Sequence, residues 1–352
     1  MNFASDNWAG AAPAVMSALT RHSSGFAPGY GADPLTASVS RSFNDIFERE
    51  VAVFFVATGT AANALALTTF GKPGGAVFCH RYSHINIDEC NCPEFMTSGN
   101  KLVGIPGGGC KISPDDLRAA MSRFPDGVVM HGQAASVSIS QATESGTVYS
   151  VGEIEAIAEA ARSRSLPLHM DGARFTNALV TLGCTPAEMT WKAGVDVLSF
   201  GGTKNGCWCA EAVVFFDPEQ AKEFEYFRKR AGHLFSKSRF VAAQFDGFFE
   251  NDSWLGTARH ANAMALRLAE GIRSLGARTA WAVEANELFP IVRRTQFETL
   301  TKAGANIYEW PANDLSDNVA PAEDEVCFRM VTSFATTDEH VKTFLETLAG
   351  TV

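Results

Sequence analysis

The sequence predicts an α/β protein: a large domain on a mainly parallel, doubly wound sheet, then a smaller α+β domain at the C-terminus. Three observations lead there. Apolar runs of strand length alternate with helical patterns between Val51 and Phe216, the signature of strand–helix–strand units. Two of those runs, Leu166–Met170 and Val195–Phe200, deliver polar residues where they end, Asp171 from the first and Gly201, Gly202, Thr203 and Lys204 from the second. Finally, Trp254–Leu275 is a long amphipathic stretch of the kind that joins domains, and only shorter strands interleaved with helices follow it. The expected division is residues 1–250, with an N-terminal arm, and residues 251–352.

Each element follows from its local pattern. Pro13–His22 reads as a helix after the turn formers Ser5, Asp6 and Asn7, and Ser24–Pro34 is too rich in Gly and Pro to be regular. Leu35–Arg49 carries Leu35, Val39, Phe43, Ile46 and Phe47 at helical spacing, and Val51–Val56 is a buried strand. A small-residue turn, Ala57 to Asn63, opens the helix Ala64–Thr69, and Ala76–His80 is the next strand. Pro114–Met121 is a helix, Gly127–His131 and Val137–Ser140 are strands, and Val151–Arg164 is a helix with Ile154, Ile157, Ala158 and Ala161 on one face. Ala212–Phe216 is a strand returning through the core, and Pro218–Arg230 a charged helix. In the smaller domain the strands are Ala282–Asn286, Ile291–Arg293 and Val326–Thr332, the helices Gln296–Ala303 and Asp338–Leu348, and Asp314–Asp324 is an acidic loop.

The composition narrows the function. A chain of 352 residues with 46% hydrophobic and 19% charged residues can bury a large core. A net charge of -10 gives no general attraction to nucleic acid or to an anionic membrane, so neither partner is expected. The opening MNFASDNWAG has no basic or apolar leader character, and no run approaches the roughly 18 apolar residues of a span, so a cytoplasmic enzyme is expected. Eight cysteines, some in strand-like contexts such as Cys79, fit reduced thiols. The pairs Cys90/Cys92 and Cys207/Cys209 are closer than the spacing of about two to four that structural zinc sites use, so no metal is expected.

In open α/β sheets ligands bind beyond the carboxyl ends of the strands, which brings Asp171 and Lys204 into one crevice. A lysine in a loop of small residues after a buried strand can lose solvation and attack a carbonyl. An aspartate facing it can keep a pyridinium nitrogen protonated, so that the ring of pyridoxal phosphate (PLP) withdraws electrons. Taken singly, Asp171 could equally cap a helix and Lys204 be solvated; their placement on consecutive strand ends favours the chemical reading. Gly59 and Thr60, at a turn opening a helix, are placed to bind phosphate, with a plain N-cap as the alternative. His84 could stack on a heteroaromatic ring or act as acid or base, or be a surface hydrogen-bonding group. Arg228, Lys229, Arg230, Lys237 and Arg239 form the one concentrated basic stretch, either a solvated helix face or a source of phosphate contacts.

Several of these segments together resemble one family. His169-Met170-Asp171-Gly172-Ala173-Arg174-Phe175-Thr176-Asn177-Ala178 and Gly201-Gly202-Thr203-Lys204-Asn205-Gly206, with Tyr30-Gly31-Ala32-Asp33-Pro34 and Gly59-Thr60-Ala61-Ala62-Asn63, are similar to the low-specificity L-threonine aldolases. These are aspartate-aminotransferase-like PLP enzymes of fold type I in the beta-eliminating lyase group. The resemblance implies a homotetramer of catalytic dimers that cleaves β-hydroxy-α-amino acids, such as threonine, allo-threonine and phenylserine, to glycine and an aldehyde. A β-elimination on a related amino acid is the rival reaction on the same scaffold. The resemblance also implies that Lys204 holds PLP covalently, Asp171 its pyridine nitrogen, and Gly59 and Thr60 its phosphate, with Thr203 beside them and His84 stacked on the ring. Ser5, Arg174 and Arg329 match positions that grip the amino-acid carboxylate, Tyr30 is placed with the substrate, and Lys229 matches a basic residue near the phosphate of the adjoining subunit. Two departures stand out: Glu144 replaces a histidine near the substrate hydroxyl, and Lys237 replaces an arginine as a phosphate contact. The base is then His84, Glu144 or both. A nicotinamide dehydrogenase is disfavoured because no strand feeds a G-x-G-x-x-G turn.

Overall fold

The computed structural model describes residues 1–312, 315 and 319–351. Seven strands form the main sheet: β1 (Ala52–Val56), β2 (Ala76–His80), β3 (Lys101–Ile105), β4 (Ala134–Ser140), β5 (Leu168–Gly172), β6 (Val197–Gly201) and β7 (Glu211–Phe215), in the order β1-β7-β6-β5-β4-β2-β3. The pairings from β6 to β3 are parallel, while β7 runs antiparallel to both β6 and β1. The reason lies in the connection. Residues 202–210 hold no crossover helix, only the short turn Thr203–Asn205, so the chain reverses directly after β6. The first residue of β7, Glu211, therefore sits at the same sheet edge as the last residues of β1, β4, β5 and β6.

Strands β2, β4, β5, β6 and β7 are buried along their whole length, as sheets covered on both faces require. On one face the helix Pro34–Phe47 presents Phe43 and Phe47 to Phe200 of β6 and to Phe245 from the helix Arg239–Phe249; the Phe43–Phe200 rings meet edge to face at 5.4 Å. This aromatic cluster anchors the strand that carries Lys204. On the other face the helix Gly59–Phe70 packs Leu65 and Ala66 against Val197 and Val213.

The second sheet holds β8 (Arg278–Thr279), β9 (Glu287–Leu288), β10 (Pro290–Arg293), β11 (Tyr308–Glu309) and β12 (Glu325–Val331), all paired antiparallel. Its core joins Leu268 and Ile272 of the helix Ser253–Ser274 to Phe328, Met330 and Phe344. Phe3 belongs to this core, with its ring edge to face on Phe344 at 5.4 Å.

Three sequence expectations need correction. Gly127–His131 is a turn, with Val129 95% and Met130 82% exposed; its apolar residues imitate a strand, yet none of the described residues covers them. Ala282–Asn286 is not a strand; the paired residues flanking it are β8 and β9. Pro218–Arg230 splits into a 3₁₀ turn, Pro218–Ala221, and the helix Phe224–Arg230. Strand β3, which is half exposed, and the helices Phe175–Leu182 and Arg239–Phe249 were not anticipated. The proposed acidic loop Asp314–Asp324 lies partly outside the described residues.

Candidate active site

A cavity of about 300 Å³ opens at the carboxyl edge of the main sheet, between the ends of β4, β5 and β6 and the start of the helix Gly59–Phe70. Of the residues expected there, Gly59, Thr60, His84, Glu144, Asp171, Arg174, Thr203 and Lys204 line it.

Lys204 arrives in a turn that only small residues permit. A Cβ on Gly201 would lie 2.5 Å from the Ala173 carbonyl oxygen, and one on Gly202 2.5 Å from that of Ala210, so the backbone passes where no other residue fits. The turn is tied down on both sides: Asn205 donates to the Trp254 carbonyl at 2.8 Å, and Ala12 N–H donates to the Gly206 carbonyl at 2.8 Å. Among the described residues the Lys204 amine has no hydrogen bond or ion pair.

Asp171 is the last residue but one of β5 and is almost fully buried. Its Oδ1 accepts from the Ala173 N–H at 3.0 Å and its Oδ2 from Asn63 Nδ2 at 2.8 Å. Opposite, the helix Gly59–Phe70 begins at Thr58, whose hydroxyl accepts from the Ala61 N–H at 3.2 Å. The Gly59 and Thr60 N–H groups are thereby left without intrahelical partners at the positive end of the helix. Space beside Gly59 is open, since a Cβ there would meet nothing within 4 Å.

Both candidates for the base, His84 and Glu144, line the cavity. Glu144 follows β4, and its Oε1 accepts from Ser140 Oγ at 2.6 Å and from the His84 N–H at 2.8 Å, while its buried Oε2 has no hydrogen-bond partner among the described residues. Burial pushes its carboxyl up to about 7, against those two hydrogen bonds. His84 places Nδ1 2.8 Å from Glu89 Oε1, and this hydrogen bond raises its pKa against the opposing effect of burial.

Arg174 is held rather than free. Its Nε and one terminal nitrogen donate to Asp6 at 2.8 and 3.0 Å, and the other terminal nitrogen lies 3.0 Å from Glu287. Burial would depress its pKa, but the two carboxylates outweigh that and raise it.

Five predicted residues do not line the cavity. Ser5 caps the turn Asp6–Trp8, its hydroxyl accepting from the Asn7 N–H at 3.1 Å, and Asn7 rather than Ser5 faces the cavity. Arg329 donates to the Ala4 carbonyl at 3.1 Å and lies over the Trp310 ring, next to the same turn. Tyr30, Lys229 and Lys237 are exposed on the outer surface, with the Lys229 amine 5.4 Å from the Tyr30 ring centre.

Sequence reasoning missed Asn63, Glu89 and Glu211. Glu211 lies in the cavity wall, and its Oε2 accepts from the Gly202 N–H at 3.1 Å. Burial raises it to about 7, with Thr203 and Lys204 pulling the other way. The available signal was a charge inside the apolar run Ala210–Phe216, which a buried strand tolerates only for a reason.

Residues 2–295 match the family model described as beta-eliminating lyase. The chain belongs to the beta-eliminating lyase family. Within it, the chain is 41% identical over 307 residues to the low specificity L-threonine aldolase of Pseudomonas sp. (strain NCIMB 10558), an alignment covering 87% of this chain and 88% of that one. The solved threonine aldolase of Leishmania major superposes with a TM-score of 0.92 at 26% identity, covering 99% of both chains. SPT solved with PLP as an internal aldimine shares the fold alone, with a TM-score of 0.69 at 14% identity over 99% of this chain and 86% of that one. Such breadth makes the fold that of the family throughout, including the second sheet. No helix among the described residues is long and apolar enough to cross a membrane.

Proposed function

We propose that the protein is a PLP-dependent aldolase that cleaves L-threonine, L-allo-threonine and related β-hydroxy-α-amino acids to glycine and an aldehyde. The observation that carries the reading is one cavity holding a lysine amine that is unpaired among the described residues, a buried aspartate and both candidate bases, His84 and Glu144. The residues fit PLP: Lys204 offers the amine for its aldehyde, the N–H groups of Gly59 and Thr60 suit its phosphate, and Asp171 is held as an acceptor for its ring nitrogen. When bound, the cofactor supplies an electron sink for the pair released from the Cα–Cβ bond.

The chain's own groups do the rest. Asp171 is oriented by Asn63 and the Ala173 N–H, so its carboxylate points in one direction. Substrate carboxylate would be gripped by Arg174, which lines the cavity and is already fixed by Asp6 and Glu287, while Ser5 and Arg329 lie outside the cavity at the adjoining turn Asp6–Trp8. Holding that carboxylate decides which bond at Cα can break. His84 or Glu144 takes the β-hydroxyl proton, and the carbonyl of the leaving aldehyde forms as it goes.

Exposed Tyr30 and Lys229, outside this chain's own cavity, support the further proposal that they serve a neighbouring subunit in a homotetramer, with Lys237 as a phosphate contact. Unpaired cysteines support a cytoplasmic setting. A domain boundary near residue 250 is supported by the two hydrophobic cores, which divide close to it, with Phe3 of the N-terminus in the second core and Trp254 and Ala285 in the first. The test is to incubate purified protein and PLP with L-threonine and L-allo-threonine and to assay products. Glycine and acetaldehyde in equal amounts are expected; ammonia and a keto acid instead would overturn the aldolase reading in favour of β-elimination.

A further inference from the structure

Glu89 is the most deeply buried carboxylate of the cavity, with no side-chain exposure, and it is not one of the residues the family resemblance accounts for. Removing a carboxylate from water costs several kcal/mol unless partners replace the lost solvation. Its Oε1 has two donors: His84 Nδ1 at 2.8 Å and Asn63 Nδ2 at 2.9 Å. Its Oε2 is buried and has no hydrogen-bond partner among the described residues. Among the described residues His84 is the one side chain hydrogen-bonded to it that can become cationic.

A carboxylate only accepts, so the nitrogen facing it must carry the hydrogen. That assigns the neutral imidazole of His84 as the Nδ1–H form and leaves Nε2 as the lone-pair nitrogen. His84 is 42% exposed along its side chain, so Nε2 remains reachable by a substrate in the cavity that His84 lines. Asn63 extends the arrangement. Its single amide nitrogen donates both to Glu89 and to Asp171 Oδ2, so His84, Glu89, Asn63 and Asp171 form one hydrogen-bonded line.

We propose that Glu89 is the positioning residue of the reaction: it fixes His84 as the Nδ1–H tautomer, so that Nε2 accepts the β-hydroxyl proton. This rests on the reading that His84 is the base. The step moves one proton. The substrate O–H bond breaks and its electrons become the second bond of the aldehyde carbonyl as the Cα–Cβ bond breaks; the Cα–Cβ pair stays with the glycine fragment, where the cofactor, when bound, would take it up, and the proton forms an N–H bond at Nε2. The imidazolium so produced keeps its Nδ1 proton, shared by hydrogen bond with Glu89, and no proton passes to Glu89. The charged groups around His84 are Glu89 from its own turn, Glu144 after β4, Asp171 of β5 and Lys204 after β6; Glu89 and Asp171 favour the imidazolium and Lys204 opposes it.

The test labels the holoenzyme with ¹⁵N-histidine and identifies the His84 signals by their loss in His84→Phe. Above its titration midpoint, wild-type His84 should show protonated Nδ1 and unprotonated Nε2. Glu89→Gln should lower that midpoint, mix the two tautomers and reduce kcat about tenfold to a hundredfold, with the acid limb of the kcat profile moved to lower pH. Cofactor occupancy and the KM for threonine should stay within about twofold, and Glu89→Asp should recover part of the loss. A wild-type signal with the proton on Nε2 would overturn the proposal even if Glu89→Gln fails to fold, as would a folded Glu89→Gln with an unchanged midpoint. Full activity with an unaltered pH profile in His84→Phe would instead remove His84 as the base, a separate failure that leaves the tautomer measurement readable.

Discussion

Lys204 and Glu144 show how much of a residue's chemistry depends on what does not touch it. The Lys204 amine sits in the cavity without a hydrogen bond or ion pair among the described residues, so no contact has to be broken before it meets a carbonyl. Lys204→Ala should therefore abolish the visible absorption band of lysine-bound cofactor and nearly all turnover; a variant retaining both would remove the assignment. Glu144 lacks a partner on Oε2, and burial holds its carboxyl near 7. A carboxyl raised from its ordinary 4.5 binds a proton more tightly folded than unfolded, so its contribution to stability is lost as pH rises from about 4.5 to about 7. Over that window the wild type should lose on the order of 3 kcal/mol of unfolding free energy relative to Glu144→Gln, measured by urea denaturation at several pH values. Parallel pH curves for the two proteins would show that folding leaves the proton affinity of Glu144 unchanged.

At the scale of the element, the helix Gly59–Phe70 serves three ends. Its buried face covers the sheet, its first turn leaves N–H groups for an anion, and Asn63 one turn in holds both Asp171 and Glu89. The Thr58 hydroxyl satisfies one orphan donor and sets the direction of the rest. Thr58→Ala should cost about 1 kcal/mol in stability, as loss of an N-cap typically does. It should also weaken PLP binding more than it weakens binding of the amino acid, which spectroscopic titration of the apoprotein and KM measurements would separate. Equal losses in both would mean that the helix start holds no phosphate. The turn after β6 is the second such element: its glycines, too close to Ala173 and Ala210 for any side chain, let Lys204 reach the cavity without displacing β7.

Across the whole molecule, the N-terminal residues join the two cores. Phe3 packs beside Phe344 in the second core, Ala4 accepts from Arg329, and Asp6, two residues on, grips Arg174 of the main sheet region. Burial alone would raise Asp6, but Arg174 and Lys204 hold it below its ordinary value. Phe3→Ala should destabilise the fold by about 3 to 5 kcal/mol through the cavity it leaves. Because the same strand of residues positions Asp6, its KM for threonine should rise as well, measured at a temperature where the variant stays folded. A stability loss with an unchanged KM would show that the second core and the substrate side of the cavity are uncoupled.

Much of this was legible along the chain. Periodicity located most strands of the main sheet and the long helix Ser253–Ser274, because a fully buried strand and an amphipathic helix each write their environment into consecutive residues. The ends of β5 and β6 announced Asp171 and Lys204, since a polar residue closing an apolar run marks where the sheet meets its ligand edge. Other features depend on contacts between residues far apart in sequence. Val129 and Met130 look like a strand but find no cover, and Glu211 enters the cavity only because β7 runs backwards. Glu89 gains its meaning from Asn63, 26 residues earlier, and Arg174 from Asp6, 168 residues away. Local sequence specifies which residues alternate between water and core; only the packed sheet, by bringing its strand ends and helix starts to one edge, decides which buried charges face each other and so which of them can move a proton.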